Sequence, residues 1–229
     1  KKNIPLIVFI SIEFILWILI IFGFAFNFSI NAIIALEYSA VCITVLASIV
    51  LIRKPKLLHI AFIAILIADF FLTLLRPQLI EAGVATFSIT AVTYGIHIYL
   101  NQKDKIKLPH LIIRISLSII APIVMLFIPN TNAMMVISAF YGINLILNVI
   151  FSFTLVKKDI LLSVGLILFL MCDFEIMTST FISMGILPAG GDFLYRVITS
   201  QDLNMAWAFY VPCLVCLVLS FKVNNPQSK

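Results

Sequence analysis

Residues 56–75 read KLLHIAFIAILIADFFLTLL, an apolar run entered from Lys56 and carrying Asp69 near its far end. Nothing alternates between Ile60 and Ile67. A membrane-barrel strand, with its ~10-residue alternation of apolar and polar positions, is therefore excluded. A run of about 20 residues is what an α-helix needs to cross the hydrocarbon core, and a helix satisfies its own backbone where lipid cannot. Seven further apolar runs flank this one, at roughly 4–28, 32–52, 79–100, 110–128, 133–156, 160–184 and 205–221. The fold expected is all-α: one polytopic membrane domain over 1–229 with eight transmembrane helices.

Composition agrees. Of 229 residues 63% are apolar and only 11% charged, and the mean hydropathy is +1.20. A soluble domain carries about 25% charged residues. Disorder, a disulfide-stapled secreted domain and nucleic-acid binding are excluded on the same grounds, and any chemistry has to occur within or at the edge of the bilayer. The net charge of +5 has a topological origin. Lys1–Lys2, Arg53–Lys54–Lys56, Lys103–Lys105–Lys107, Lys157–Lys158, and Lys222 with Lys229 fall at every second polar break, while the breaks between carry at most Arg76 or Arg196. The positive-inside rule then puts both termini in the cytoplasm. Glu13 within the first run, the length of that run and the lack of a small-x-small site make it an anchor rather than a cleaved signal. The Ile-, Phe- and Lys-rich composition points to a bacterial cell membrane. The longest outer break, Ile186–Asn204, with Phe193, Tyr195 and Arg196, is expected to lie over the outer mouth of the bundle. Cys42, Cys172, Cys213 and Cys216 all fall in apolar runs, where small polarizable side chains pack.

A shift of about 104 aligns Lys54–Lys56 through Asp69-Phe70 with Lys157–Lys158 through Asp173-Phe174, and Glu37-Tyr38 with Phe140-Tyr141. Four helices per unit preserve orientation, so the expectation is two parallel repeats, about 1–108 and 109–221.

Ionisable groups inside a membrane are functional candidates. Asp69 lies 13 residues beyond Lys56 and Asp173 lies 15 beyond Lys158, which puts both ~20 Å from the cytoplasmic face at ~1.5 Å per residue. Glu37 reaches a similar level from the outer side. These carboxylates outline a polar chamber open toward the outer leaflet. One protonated and one ionised carboxyl is what general acid–base hydrolysis requires; a proton relay in a transporter would use the same groups. Tyr38, Tyr94, Tyr141, Asn144, Asn148 and Tyr210 surround them as groups able to orient a substrate or water, although the asparagines also suit interhelical hydrogen bonding. Glu13 and Glu175 stand evenly between the two roles. Glu81 and Arg114 read as span-end residues within reach of water. His59, His97 and His110 are scattered toward the cytoplasm with no HxxxH spacing, so no metal site and no cofactor are expected. Without a lysine in the seventh run, a retinal Schiff base is excluded as well.

Ala68-Asp69-Phe70-Phe71-Leu72 and the stretch from Gly165 to Cys172-Asp173 resemble, respectively, the G-D-x-x-L-like and G-x-x-x-F-x-x-S-D-like motifs of the YhhN-like family, an eight-span family that includes lysoplasmalogenases. Phe87 to Tyr94 is similar to its fourth-span F-x-x-x-H-x-x-Y motif, with Ala91 where the family has His. Tyr210 is similar to an eighth-span tyrosine, but no Gln follows it. Ala68 and Cys172 replace the family's Gly and Ser. The resemblance, covering about 50–221, implies a metal-independent hydrolase that cleaves the vinyl-ether bond of a lysolipid. Asp69 and Asp173 would be catalytic, with Glu37, Tyr38, Tyr94, Tyr141, Asn144 and Tyr210 about the substrate. The working assignment makes Asp69 the base and Asp173 the acid, and the reverse stays open. The partners implied are a lysophospholipid or ether-lipid substrate and membrane lipids, with no nucleic acid; the oligomeric state is left open. A proton-coupled small transporter and a non-catalytic member of the same fold are the alternatives.

Overall fold

The computed structural model describes residues 4–23, 25–52, 56–75, 79–183 and 205–223. The segment 186–204, expected over the outer mouth, lies outside the described residues, as do Lys1, Lys2, Arg53, Lys54 and Arg76. Among the described residues the chain forms eight long α-helices: α1 (Ile4–Ile21), α2 (Ile30–Leu51), α3 (Lys56–Asp69), α4 (Ile80–Asn101), α5 (Asp104–Leu126), α6 (Ala133–Ser152), α7 (Ile160–Ser183) and α8 (Met205–Val223). A π-helical turn, Phe70–Leu74, continues α3, and a 3₁₀ turn, Phe153–Leu155, continues α6. Seven of these helices are long and apolar enough to cross a membrane; the apolar part of α8, Met205–Phe221, is shorter.

Local chemistry sets several boundaries. Ser29 caps α2, its Oγ accepting from the Ala32 amide at 3.3 Å. Asn132 caps α6 through the Met135 amide at 3.0 Å, and Asp159 caps α7 through the Leu162 amide at 3.0 Å. Each is a residue type favoured at that position because its side-chain oxygen satisfies an amide the helix leaves open. The first apolar run, expected to be helical to residue 28, leaves the helix after Ile21. Asn27 takes a left-handed backbone (φ 58°) in the turn that follows, a conformation asparagine tolerates better than most residues.

The bundle has the polarity its apolar surface demands. Ile112, Ile115, Ile119 and Ile123 of α5 face outward, whereas Glu13, Glu37, Thr44, Asp69, Thr90, Asn144 and Asn148 are buried. Lipid is as apolar as Leu, so interhelical hydrogen bonds and close packing hold such a bundle together. The core lies where α8 packs on α7, α2 and α1, and where α4 packs on α3 and α6; Phe62, Tyr94, Leu145, Phe169, Leu214 and Leu217 are its fully or almost fully buried members. α5 stands at the rim, packed mainly on α6. The helix pairs in contact among the described residues are α1–α2, α2–α3, α3–α4, α2–α8 and α1–α8, together with α5–α6, α6–α7, α7–α8, α4–α6 and, only thinly, α4–α5. Exchanging each helix with the one four places along turns the first set into the second.

Candidate active site

Asp69 is the last residue of α3, directly before the π-helical turn. Such turns widen the helix and re-aim its side chains, and they recur at functional sites. α4 comes close enough to hold this junction only because residue 83 is glycine. A Cβ there would lie 2.5 Å from Leu72 Cγ and 3.3 Å from the Ala68 carbonyl.

Asp69 is buried, at 5% exposure, and its Oδ2 accepts a hydrogen bond from the Tyr210 hydroxyl of α8 at 2.5 Å. Asp173, half-buried on α7, receives the Tyr141 hydroxyl of α6 on its own Oδ2. The bundle thus contains two phenol–carboxyl pairs. They are joined through aromatic rings: Phe87 of α4 lies 5.9 Å from Tyr141, 5.7 Å from Phe169 and 6.5 Å from Tyr210, and Phe169 lies 5.7 Å from Tyr210. Asp69 is within electrostatic reach of both Asp173 and Glu37, so carboxyls of α2, α3 and α7 converge. Cys172 and Cys213 lie within the same reach of both aspartates. Phe87, Phe169 and the two cysteines were not distinguishable from core residues by their types.

The remaining sequence candidates take different places. Tyr38 is half-buried, close to Asp69, with its ring 6.2 Å from Phe70. Tyr94 lies further along α4, stacked on Phe221 at 6.2 Å. Asn144 is occupied in a second polar centre. Its Oδ1 accepts from Arg114 Nη1 at 3.0 Å, and its Nδ2 donates to Ser118 Oγ at 3.0 Å and to the Phe140 carbonyl at 2.9 Å.

Arg114 is not at a span end. α5 begins at Asp104, six residues before the apolar run suggested, and this puts Arg114 well inside the helix. Its guanidinium donates through Nη2 to Asn148 Oδ1 at 2.8 Å and through Nε to His110 Nε2 at 3.0 Å. Arginine only donates, so His110 must carry its proton on Nδ1, which donates to Gln102 Oε1 at 2.6 Å. Asn148 turns its amide nitrogen to the Ala91 carbonyl at 2.7 Å. His110 is buried, its ring stacked 3.8 Å from Phe151. Gly95 of α4 makes room for the guanidinium, with which a Cβ at that position would collide. Tyr141, Asn144 and Asn148 share one face of α6 by their i, i+3, i+7 spacing, so the two centres lie side by side along that helix.

Among the described residues, no three of His, Cys, Asp and Glu are arranged to hold a metal ion. Apolar helices around paired carboxyls and phenols define a helical membrane protein with a buried polar cluster. The YhhN family model matches residues 35–221, and the chain belongs to that family. No curated protein and no solved structure matches it.

Proposed function

We propose that this YhhN-family protein is a membrane-embedded hydrolase of the lysoplasmalogenase kind, cleaving the vinyl-ether bond of a lysolipid without a cofactor. All eight helices span the membrane in this reading, with the lysine-bearing ends and both termini cytoplasmic and with two four-helix halves related by an axis along the membrane normal. The observation that carries it is the convergence of Asp69–Tyr210 and Asp173–Tyr141 on one aromatic cluster.

A vinyl ether is cleaved by acid. A carboxylic acid delivers its proton to the β-carbon, and the α-carbon becomes an oxocarbenium ion. The partner carboxylate stabilises that cation and removes a proton from the water that adds to it. As the resulting hemiacetal collapses, the ionised acid takes the hemiacetal hydroxyl proton and the protonated base gives its proton to the departing glycerol oxygen, so one water is consumed, a fatty aldehyde is released and both carboxyls return to their starting states. Each tyrosine fixes one oxygen of its aspartate, leaving the second to face substrate or water. Asp173, the more exposed of the two, serves as acid and Asp69 as base in the working assignment.

The test is fatty-aldehyde release from a lysoplasmalogen by purified protein, run beside Asp69→Asn and Asp173→Asn with an acyl lysophospholipid as control. Release abolished by either substitution supports the reading. No turnover by folded wild-type protein overturns it, and pH-gradient-driven uptake into vesicles would then favour a proton-coupled transporter on the same carboxyls.

A further inference from the structure

We infer that Arg114 is the recognition residue for a phosphate-bearing amphiphile, holding the anionic head group while the tail side of the glycerol reaches the aspartates. The inference rests on the lysolipid reading above. A guanidinium inside a membrane span is costly and is ordinarily neutralised by a carboxylate or committed to function. Among the described residues Arg114 has no carboxylate partner; the one ion pair found there joins Lys107 to Asp104. All three acceptors around it, His110 Nε2, Asn144 Oδ1 and Asn148 Oδ1, are neutral. They fix the fork, and they leave one N–H on each of Nη1 and Nη2 for a ligand. Guanidinium N–H groups are the donors preferred over a lysine ammonium for binding phosphate oxygens.

The clamp is built rather than incidental. Gln102 fixes the His110 tautomer, Phe151 covers the imidazole, the amide groups of both asparagines are held by backbone carbonyls, and residue 95 is a glycine where any side chain would strike the guanidinium. Arg114 itself is half-buried, on a helix that stands at the rim of the bundle. Its position relative to the acid centre suits a glycerol lipid. Asn144 lies one turn from Tyr141, about 4.5 Å along α6, and Tyr141 holds Asp173. A lysolipid carries its phosphate and its alkenyl oxygen on one glycerol, so neighbouring centres for the two groups can be met by one molecule. Arg114 also lies on the side of Asp173 nearer Lys103, Lys105 and Lys157, so the head group faces the lysine-bearing ends.

The experiment measures binding rather than turnover, so that it survives failure of the hydrolase reading. Purified wild-type protein, Arg114→Gln and Arg114→Lys are titrated with a saturated 1-O-alkyl lysophosphatidylcholine, which cannot be cleaved as a vinyl ether, and with the matching 1-O-alkylglycerol, which lacks phosphate. Wild type is expected to prefer the phosphate lipid by roughly tenfold or more. Arg114→Gln loses that preference while its affinity for the alkylglycerol is unchanged, which also shows that it is folded; Arg114→Lys keeps only part. Inorganic phosphate is the third probe. Failure of millimolar phosphate to displace the lipid assigns the site to a lipid head group, and competition by phosphate alone overturns the lipid assignment. An equal preference in wild type and Arg114→Gln, or no preference in wild type, overturns the inference altogether. Retained preference without aldehyde release would leave Arg114 as the head-group residue of a protein that binds but does not hydrolyse.

Discussion

The indole Nε1 of Trp17 on α1 donates to the carbonyl of Ala208 on α8 at 3.1 Å. That carbonyl is the one to which residue 212 would donate in a continuous helix, and residue 212 is proline. Proline has no amide hydrogen, so it leaves the carbonyl four residues back without its helical partner. In a bundle surrounded by lipid, a neighbouring helix has to supply the donor. Trp17 does so two residues before Tyr210, and it thereby ties α1 to the segment that presents the phenol to Asp69.

Trp17→Phe keeps an aromatic ring, though a smaller one, and removes the donor, so it should destabilise the protein by about 1–2 kcal/mol or more. Pro212→Ala restores an amide aimed at the same carbonyl. In the Pro212→Ala background the Trp17→Phe cost should therefore shrink, a coupling read from thermal unfolding of the four proteins in one detergent. Strictly additive costs would show that the indole acts through packing alone.

The phenols lend themselves to a comparison that the aspartates do not. Tyr210→Phe and Tyr141→Phe leave both carboxyls and most of the ring contacts in place, and each removes one hydrogen bond to a carboxyl oxygen. Tyr210 donates to the ionised base, and Tyr141 to Asp173 as it becomes charged on giving up its proton; a bond to a charged acceptor contributes roughly 1.5–3 kcal/mol, so each variant should lower aldehyde release by about 10- to 100-fold, mainly in kcat. Full turnover in both would detach the tyrosines from the chemistry.

Gly83→Ala tests the approach of α4 to the π-helical turn. The added methyl would meet Leu72, itself packed on the core, and the Ala68 carbonyl, so overpacking should cost about 1–3 kcal/mol. Because Leu72 and Ala68 flank Asp69, aldehyde release should fall as well. Leu72→Ala in the same chain should recover part of both losses, and recovery of neither would place the strain elsewhere.

Much of this architecture was legible in hydropathy, because the solvent is uniform and each helix must carry its own apolar length. The runs at 160–184 and 205–221 match α7 and α8 to within two residues, and the run at 133–156 matches α6 together with its 3₁₀ continuation to Leu155. The misses share a cause. Hydropathy carried the first run through Phe22, Phe26 and Phe28, although Gly23 and Asn27 turn the chain there. It also began the fifth run at His110, because Asp104, Lys105 and Lys107 are charged, whereas Lys107 and Asp104 pair at 2.9 Å in the first turn of α5. That displacement is why Arg114 read as a span-end residue. The aspartates stood out because a carboxyl inside a run has to be explained. Tyr141 and Tyr210 were visible as polar neighbours, but their pairing was not, since α6 with α7 and α3 with α8 meet only in three dimensions. Phe87 and Phe169 carry no signal that separates a site wall from a core.

Glu13 is a contrast to the carboxyls of the proposed site. It is 1% exposed; its Oε1 accepts from Thr44 Oγ1 at 2.9 Å, while among the described residues its Oε2 has no partner. α1 packs on α2 and α8, and the Asp69–Tyr210 and Asp173–Tyr141 bonds involve neither Glu13 nor Thr44. A structural carboxyl with one unanswered oxygen gains little from being able to ionise, and an isosteric amide removes the cost of doing so. Glu13→Gln should therefore leave aldehyde release within about twofold of wild type and hold or raise the unfolding temperature, while Thr44→Val, which strips the remaining donor, should cost about 1–3 kcal/mol. A collapse of turnover in a stable Glu13→Gln protein would bring Glu13 into the acid–base centre and extend that centre across α1.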